Sequence, residues 1–416
     1  MKKFAVAILF ILPFILVQAQ NKKVLFIGNS YTAANNLPQM IVDLALSTGD
    51  AMDYQAHTPG GARFLQHAVD PTVFDMIRSE NWDYVVLQAQ SQEPSWPISQ
   101  VSTEVFPYAK ILCDSIRAIN PCSIPLFYMT WGRKNGDQMN CASWPPVCTY
   151  EGMDSLLNLR YRMMANDNNA YVSPVGEVWK YIRKYYPTLE LYEPDESHPS
   201  AAGSYVAACA FYTLIFEKDP IQIFNNLNLS LTDAMAIRAA TRLIVFDSLS
   251  KWNVGKYVPK ADFDFVNDSN RVAIANNSNF GLEYKWYFGD GESSTHENPI
   301  HYYDTDGEYT IQLFVSKCGA IDSFSKKVTI STIGFACSEL DGIILFPNPT
   351  TGIIEISNAQ EIEHIVVLDQ QGRMMMSKRQ LKQDYIDISI LDNGIYFLKI
   401  QLKNQQAELV RKVLKE

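Results

Sequence analysis

The chain has 416 residues, of which 47% are hydrophobic and 19% are charged, so it contains enough apolar material for two or three globular domains. Its formal charge of −10, without a compensating basic cluster, argues against nucleic acid or an anionic membrane surface as a partner. The seven cysteines include no Cys-x-x-Cys pair, which argues against a cysteine zinc site, and the sequence predicts no metal or other cofactor.

The first 20 residues have the pattern of a secretory signal peptide. Met1-Lys2-Lys3 is basic, residues 4–17 are almost wholly apolar, and Gln18-Ala19-Gln20 is small and polar. No later stretch approaches the roughly 18 apolar residues that a membrane span requires. We therefore expect an exported chain without a membrane span.

From Val24 to about Leu249, short apolar runs alternate with longer amphipathic ones. This order predicts a mostly parallel sheet with helices on both faces, whose ligand sits beyond the carboxyl ends of the strands. The predicted strands are Val24–Ile27, Asp53–His57, Tyr84–Leu87, Ile124–Met129 and Ala170–Ser173. The predicted helices are Leu37–Ser47, Pro71–Ser79, Ser102–Ala118, Met153–Ala165, Val175–Tyr185, Ala201–Phe216 and Leu231–Leu249.

The first predicted strand ends at Gly28-Asn29-Ser30, where a helical pattern begins. This places Ser30 at a strand-to-helix corner, next to backbone N–H groups that have no partner within the helix. Such a serine is either a nucleophile beside oxyanion donors or a simple helix cap. The choice depends on whether the sequence supplies a base and an acid.

Asp195-Glu196-Ser197-His198-Pro199 supplies both groups. Pro199 forces His198 out of the α region, and Asp195 lies three residues earlier in a turn, from which it can fold back to the imidazole. The alternative is a turn residue followed by a surface histidine, since loops carry such residues freely.

Taken together, the serine corner and the Asp-x-x-His segment resemble the SGNH (GDSL-type) hydrolases over roughly residues 22–250. The resemblance implies a flavodoxin-like three-layer α/β/α domain, assigned to residues 21–255, and an esterase or deacetylase without a metal. Ser30 is then the nucleophile, His198 the base and Asp195 the acid.

The family's oxyanion donors correspond to two middle segments. Its glycine block resembles Thr58-Pro59-Gly60-Gly61-Ala62, where the N–H of Gly61, or alternatively Gly60, joins that of Ser30. The family's Asn after the third strand is missing. Gln90 aligns best with it, with Gln88 as the alternate, and a Gln amide donates as an Asn amide does.

The loop after the fourth strand contains Trp131 and Arg133. These residues either bind a sugar face or an acid group, or they belong to a disulfide-stiffened loop without a ligand contact.

The other polar residues near these motifs are interpreted as structural (His57 and His67) or solvated (Glu93 and Glu196). The predicted disulfides are Cys141–Cys148, Cys113–Cys122 and Cys318–Cys337, with Cys209 as a buried free thiol.

Beyond Val258 the helical pattern gives way to strand-like alternation, which predicts two small all-β sandwiches. Residues 256–333, with Trp286-Tyr287-Phe288-Gly289-Asp290-Gly291, resemble a PKD-type Ig-like domain. Residues 338–416, with Phe346-Pro347-Asn348-Pro349 and Asn393-Gly394, resemble a type IX secretion C-terminal sorting domain. This second resemblance implies type IX secretion machinery as a partner, passage through the periplasm, and a secreted or cell-surface location.

The sequence therefore favours a secreted carbohydrate esterase whose substrate is an acylated carbohydrate or other ester. Two alternatives remain open. One is a surface adhesin or glycan-binding protein whose hydrolase domain has decayed, for which the missing Asn is the best support. The other is a lipase or thioesterase, although the sequence has no long apolar lid.

Overall fold

A computed structural model describes residues 19–331, 343–379, 381, 383–403 and 408–416. Residues 1–18 of the predicted signal peptide and Cys337 lie outside these ranges. Among the described residues, no helix is both long enough and apolar enough to cross a membrane.

The first domain contains a five-stranded parallel sheet in the order β2-β1-β3-β4-β5. This is the flavodoxin-like strand order, so the predicted α/β fold class is confirmed. The strands are β1 (Asn21–Ile27), β2 (Ala51–His57), β3 (Tyr84–Leu87), β4 (Ile124–Tyr128) and β5 (Tyr171–Ser173). The α-helices are α1 (Ser30–Ala33), α2 (Leu37–Leu46), α3 (Phe64–His67), α4 (Pro71–Ser79), α5 (Ile98–Glu104), α6 (Phe106–Ile119), α7 (Tyr150–Asp167), α8 (Val175–Tyr185), α9 (Ala201–Phe216) and α10 (Leu231–Ile244). Short 3₁₀ turns occupy Ala34–Asn36, Glu93–Ser95, Pro145–Val147, Pro220–Gln222 and Phe246–Trp252.

The apolar runs form the core because helices cover both faces of the sheet. Every residue of β3 is buried, as are the last four residues of β1. Helix α9 is buried continuously from Gly203 to Phe216, which explains why its sequence is apolar on every side rather than on one stripe.

Several predicted helices have different bounds in the structure, and the two largest differences have a physical reason. The helix predicted over Ser102–Ala118 is two helices, α5 and α6, separated at Val105. Pro107 lacks the N–H that would continue α5 and stands instead in the first turn of α6, where that N–H is not needed. The helix predicted to reach Leu249 ends at Ile244 and continues as a 3₁₀ turn.

Two all-β units follow, as predicted. In the first, the sheets β10-β7-β6 and β12-β11-β8-β9 share one core that includes Phe263 and Trp286. In the second, the sheets β13-β14-β17 and β16-β15-β18-β19 share a core that includes Ile354 and Ile400. The strands are β6 (Phe263–Asp268), β7 (Arg271–Asn276), β8 (Glu283–Tyr287), β9 (Ser293–Ser294), β10 (Ile300–Tyr302), β11 (Gly307–Lys317), β12 (Ala320–Ile330), β13 (Leu345–Phe346), β14 (Ile353–Ile356), β15 (Ile362–Leu368), β16 (Met374–Arg379), β17 (Tyr385–Asp387), β18 (Gly394–Leu402) and β19 (Glu408–Lys415).

The disulfides agree with the sequence-based prediction at one pair only. Cys141–Cys148 is formed, as predicted, and Cys209 is a buried free thiol. The predicted Cys113–Cys122 and Cys318–Cys337 pairs are wrong, because Cys122 is bonded to Cys318. Cys113 is instead a free thiol buried on the core side of α6, where burial raises its pKa to about 12.

The Cys122–Cys318 disulfide joins the first β-sandwich to the α/β domain at the edge opposite the carboxyl ends of the strands. Cys122 lies two residues before β4 begins, and Cys318 lies in the turn between β11 and β12. The linker meets the same edge, where the N–H of Gly255 donates to the hydroxyl of Tyr171 at the start of β5. The sandwich is therefore attached both through the chain and through the disulfide.

We expect the Cys122→Ser/Cys318→Ser variant to lose about 2–4 kcal/mol of unfolding free energy, because this bridge closes a long loop in the unfolded chain. Its two cysteines are 196 residues apart, against 7 for Cys141 and Cys148. Differential scanning calorimetry should therefore show a larger loss for this variant than for Cys141→Ser/Cys148→Ser. Equal melting of the Cys122→Ser/Cys318→Ser variant and the wild type would contradict this expectation.

Candidate active site

The turn after β1 presents Ser30 at the carboxyl edge of the sheet. Asn29 caps α1, since its side-chain oxygen accepts a hydrogen bond from the N–H of Tyr31 at 3.1 Å. Ser30 is the first residue of the helix, so its own N–H has no acceptor within the helix. Only glycine fits before this cap, because a Cβ on Gly28 would lie 2.5 Å from the Thr32 hydroxyl oxygen.

Asp195 and His198 reach Ser30 from the loop before α9. The Ser30 hydroxyl donates to Nε2 of His198 at 2.8 Å, and the His198 Nδ1–H donates to Oδ2 of Asp195 at 2.5 Å. This loop, residues 192–199, is called the histidine loop, and an isolated antiparallel β-bridge between Tyr192 and Pro199 closes it. The structure thus brings the three side chains predicted as a triad into one hydrogen-bonded line.

The surroundings of Asp195 keep its side chain ionised next to the imidazole of His198. Burial raises its pKa, but hydrogen bonds from the His198 ring and from the backbone N–H groups of Ser197 and His198 more than offset this, so the pKa lies below its usual range. Asp195 is therefore a carboxylate at neutral pH, and it favours the tautomer of His198 that leaves Nε2 free to accept the serine proton.

A stack of aromatic rings supports the histidine loop, and sequence reasoning missed this role of Tyr31. The Tyr31 ring lies edge to face with His198 at 5.1 Å, and its hydroxyl shares a 2.6 Å hydrogen bond with the Ser197 hydroxyl. Below it, Trp131 stacks between Tyr31 and Trp179. The signal in the sequence was the position of Tyr31 directly after Ser30, the predicted nucleophile.

Trp131 does not lie where a substrate-binding residue would. Its side chain is fully buried, and its indole N–H donates to the carbonyl of Ser197 at 3.2 Å. Both faces of its ring are already in contact with Tyr31 and Trp179, so no face remains for a sugar. The interpretation of Trp131 as a substrate contact is corrected to a packing role beneath the histidine loop.

Arg133 lies in the same loop and remains partly exposed. One of its terminal nitrogens is 3.6 Å from Oδ1 of the buried Asp137, whose other oxygen accepts from Gln92 at 2.8 Å. The backbone next to Arg133 touches the histidine loop, since the N–H of Lys134 donates to the carbonyl of Glu196. Glu196 itself is exposed, in agreement with its interpretation as solvated.

The glycine block, residues 58–62, is hydrogen-bonded to the turn after β1, residues 28–32, which we call the serine turn. The Asn29 side chain donates to the carbonyl of Ala62 at 3.1 Å, which holds the preceding glycines beside Ser30. Gly60 and Gly61 are both exposed, and Gly61 has a φ of 70°, a conformation that disfavours other residues. The two glycines thus leave an exposed backbone in the segment that is bonded to the turn of Ser30.

The two glutamines after β3 have different environments. Gln88 is fully buried, and its side-chain oxygen accepts from the Asn29 N–H and the Thr32 hydroxyl, both at 2.9 Å. Its amide nitrogen donates to the carbonyl of Ala89, so it is already engaged within the core. Gln88 therefore holds the serine turn from below.

Gln90 is partly exposed, and its amide is oriented as a donor. Its side-chain oxygen accepts from the backbone N–H groups of Gln92 and Glu93, at 2.7 and 3.2 Å. Its amide nitrogen makes one long contact, 3.3 Å to the Gln92 side chain. Because the oxygen is held by the backbone, the NH₂ group is the part of Gln90 that remains available to a ligand.

Glu93 is not solvated, and that interpretation is wrong. The residue is fully buried, and one of its carboxylate oxygens forms an ion pair with Arg63, while the other has no hydrogen-bond partner among the described residues. Burial raises the pKa of Glu93 to about 7, although the Arg63 charge opposes this shift. Arg63 directly follows the glycine block, so the pair connects that block to the loop carrying Gln90.

The two histidines near the glycine block occupy supporting positions. His67 is buried, and its Nε2–H donates to the carbonyl of Gly28 at 2.9 Å. Burial lowers its pKa to about 4, so the ring is neutral at physiological pH. Nε2 of His57 lies 3.1 Å from Oδ2 of Asp70. Within the described part of the chain, no group of three or more His, Cys, Asp or Glu residues is arranged to hold a metal ion.

The two C-terminal all-β units match models of known domain families. Residues 270–332 match the PKD domain, and residues 344–416 match the secretion system C-terminal sorting domain, as predicted. The sorting domain indicates that the chain is exported, for secretion or for attachment at the cell surface. No match was found among curated proteins.

Solved structures similar to this chain include SGNH and GDSL-type hydrolases, which cover its N-terminal half. A protein from Slackia heliotrinireducens described as an SGNH hydrolase is 24% identical, with 47% of this chain and 99% of that chain covered and a TM-score of 0.38. A DUF4886 family protein from Bacteroides uniformis is 16% identical, with coverages of 56% and 99% and a TM-score of 0.46. A lipase/acylhydrolase from Enterococcus faecalis is 15% identical, with coverages of 47% and 96% and a TM-score of 0.34.

The buried carboxyl of Glu93 predicts a specific pH dependence of stability. Because its pKa rises from 4.5 in the unfolded chain to about 7 in the folded protein, the folded state holds a proton that the unfolded state releases. The free energy of unfolding is therefore expected to decrease as the pH rises from 4.5 to 7, and Glu93 should contribute on the order of 3 kcal/mol to this decrease.

The Glu93→Gln variant should lose this component when unfolding free energies are measured from pH 4.5 to 8. Glu104→Gln is the matched control, since Glu104 contacts the same Arg63 but is 41% exposed. The control should keep the wild-type slope. An unchanged slope in Glu93→Gln would show that Glu93 is not the responsible group.

Proposed function

We propose that this chain is an exported serine esterase that removes an O-acetyl or similar small acyl group from a carbohydrate. The observation that carries the proposal is the hydrogen-bonded line from Ser30 through His198 to Asp195. Such a line is the arrangement that makes a serine hydroxyl nucleophilic at neutral pH. We assign the hydrolase to residues 21–255, the PKD domain to 256–333 and the sorting domain to 338–416.

The reaction proceeds through an acyl-enzyme. Ser30 Oγ attacks the ester carbonyl carbon while its proton passes to Nε2 of His198, and Asp195 stabilises the imidazolium that forms. Collapse of the tetrahedral intermediate breaks the bond to the sugar oxygen, which leaves as an alcohol with the proton from His198. Water then attacks the acyl-enzyme, again giving its proton to His198, and releases the acid and free Ser30.

The charge that develops on the carbonyl oxygen is met by donors from three segments. These are the N–H of Ser30 at the start of α1, the N–H of Gly61, and the side-chain NH₂ of Gln90. Both neighbouring segments are bonded to Asn29, through the Ala62 carbonyl and through the Gln88 side chain. The donors are thus held in place before the substrate binds, which is the condition for oxyanion stabilisation.

The exposure of the triad supports a substrate carried on a larger molecule. The Asp195 and His198 side chains are 49% and 37% exposed. An open surface of this kind accommodates an acyl group on a polysaccharide or glycoconjugate, whereas a lipase must cover a long acyl chain. Arg133, partly exposed beside the histidine loop, is the proposed contact for a substrate acid group or hydroxyl.

The second candidate function is a surface glycan-binding protein whose hydrolase site has decayed. The observation that favours it is the replacement of the expected Asn by Gln90, since Gln88 is engaged within the core. In either case, the export route we propose begins with the signal peptide at residues 1–20. It continues through the periplasm and the type IX secretion machinery.

We expect Ser30→Ala to abolish hydrolysis of p-nitrophenyl acetate while leaving the melting temperature close to that of the wild type. The Ser30 hydroxyl supplies the bond-forming oxygen, and it is not buried in the core. Ser99→Ala, which removes the hydroxyl of an exposed serine on α5, is the matched control and should keep the wild-type rate and melting temperature. Initial rates with acetyl to long-chain esters would complete the test.

Each outcome distinguishes between the candidate functions. Wild-type activity on short esters that Ser30→Ala lacks supports the esterase. Inactivity of the wild type on every ester favours the decayed binder, and preference for long chains favours the lipase. Activity that survives in Ser30→Ala would remove the assignment of the nucleophile.

We expect Gln90→Ala to lower kcat by about 100- to 1000-fold with a small change in KM, the usual loss of one oxyanion donor. Gln88→Ala should instead destabilise the fold, by about 1–3 kcal/mol, because the buried Asn29 N–H and Thr32 hydroxyl lose their acceptor. Gln100→Ala, on the exposed face of α5, is the control. Full activity of Gln90→Ala would exclude Gln90 as a donor.

A further inference from the structure

A cavity of about 260 Å³ lies between the α/β domain and the PKD domain, beside the Cys122–Cys318 disulfide. The α/β domain contributes Arg117 and Tyr171 to its lining, and the PKD domain contributes Phe280 and Lys317. It opens at the amino ends of β4 and β5, whereas Ser30 lies at the opposite edge of the sheet. The cavity is therefore independent of the proposed active site.

The lining of this cavity contains two cationic side chains and no carboxylate. The lining includes Arg117 and Lys317 but no Asp or Glu. The backbone of Lys317 pairs with Ala320, but its side-chain ammonium has no hydrogen-bond or ion-pair partner among the residues that the structure describes. Burial lowers the pKa of Lys317, and the charge of Arg117 lowers it further. A half-buried lysine beside a second cation is unfavourable unless an anion joins them.

Arg117 is only partly neutralised by the protein. Its guanidinium donates to the carbonyl of Asn168 at 2.7 Å and to Oδ1 of Asp114 at 3.0 Å. Asp114 is not part of the lining, is half exposed, and also pairs with Lys110 at 2.6 Å. One carboxylate outside the cavity thus serves two cations, so the positive charge inside is not balanced.

A disulfide links the two chain segments that carry these cations. Lys317 directly precedes Cys318, and the chain turns tightly there, with φ of 53° at Cys318 and 86° at Gly319. The disulfide fixes this turn to Cys122, five residues after Arg117. The two segments that carry the like charges are therefore covalently linked at this interface.

We propose that this cavity binds a monosaccharide-sized carboxylate, such as a single uronic acid unit. The two cations fit a carboxylate, for which a guanidinium offers paired donors. Tyr257 and Phe280, whose rings meet edge to face at 5.4 Å, provide an apolar wall for a ring. The volume is just below the roughly 300 Å³ at which pockets for drug-sized ligands begin, so it suits one ring.

Isothermal titration calorimetry of the intact, oxidised protein with glucuronate tests the proposal. We expect wild-type binding, and Lys317→Gln and Arg117→Gln should each weaken it by about 10- to 100-fold, the loss of one charge-assisted hydrogen bond. Lys327→Gln, in which an exposed lysine of the same domain loses its charge, should bind as the wild type does. Glucose, which lacks the carboxylate, should not bind.

The ligand-free protein provides a second readout that does not depend on the choice of sugar. Removing one of two unbalanced cations should raise the melting temperature of Lys317→Gln at low ionic strength, and salt should reduce the difference. Lys327→Gln breaks a surface pair with Glu308 and should not raise it.

Three results would overturn the proposal. The first is that glucuronate does not bind to the wild type. The second is that glucuronate binds Lys317→Gln as tightly as it binds the wild type. The third is that acetate or sulfate binds as tightly as glucuronate, since the aromatic wall would then contribute nothing.

Discussion

The hydrogen bonds made by one buried amide hold the serine turn on which the proposed function depends. The side-chain oxygen of Gln88, at the end of β3, accepts from both Asn29 and Thr32, so that Ser30 is held between two fixed residues. This position leaves no room for a side chain on Gly28. A buried donor or acceptor that loses its partner is costly, so these hydrogen bonds stabilise the observed conformation of the turn. Ser30, the proposed nucleophile, is thus positioned by a residue that is fully buried.

The other half of the site is held by packing rather than by the sheet. Asp195 and His198 lie on an irregular loop, far from Ser30 in the chain, yet this loop rests on the stacked rings of Tyr31 and Trp131. Tyr31 belongs to the serine turn and also bonds the Ser197 side chain. The stacked rings therefore connect the segment of Ser30 to the loop of His198, and they explain why Trp131 has no surface for a ligand.

The sequence predicted the elements whose cause is local. The strands and the order of helices follow from apolar periodicity, and the pair of motifs around Ser30 and His198 follows from their chemistry. The failures concern contacts between distant segments. Nothing near Cys122 in the sequence indicates Cys318 as its partner, because that pairing depends on where the PKD domain lies. Likewise, the burial of Glu93 and Trp131 is set by the packing of other segments against their loops. Between the two glutamines, only the hydrogen bonds show which one is engaged within the core.

The proposed function depends on the hydrogen bond between Ser30 and His198, which covalent labelling can detect through the reactivity of the serine hydroxyl. A fluorophosphonate probe, followed by peptide mass spectrometry of the intact protein, should modify Ser30 in the wild type. The modification should be strongly slowed in His198→Ala, since the base that activates the hydroxyl is then missing. Label at a different residue, or equal rates of labelling in the wild type and His198→Ala, would show that His198 does not activate Ser30.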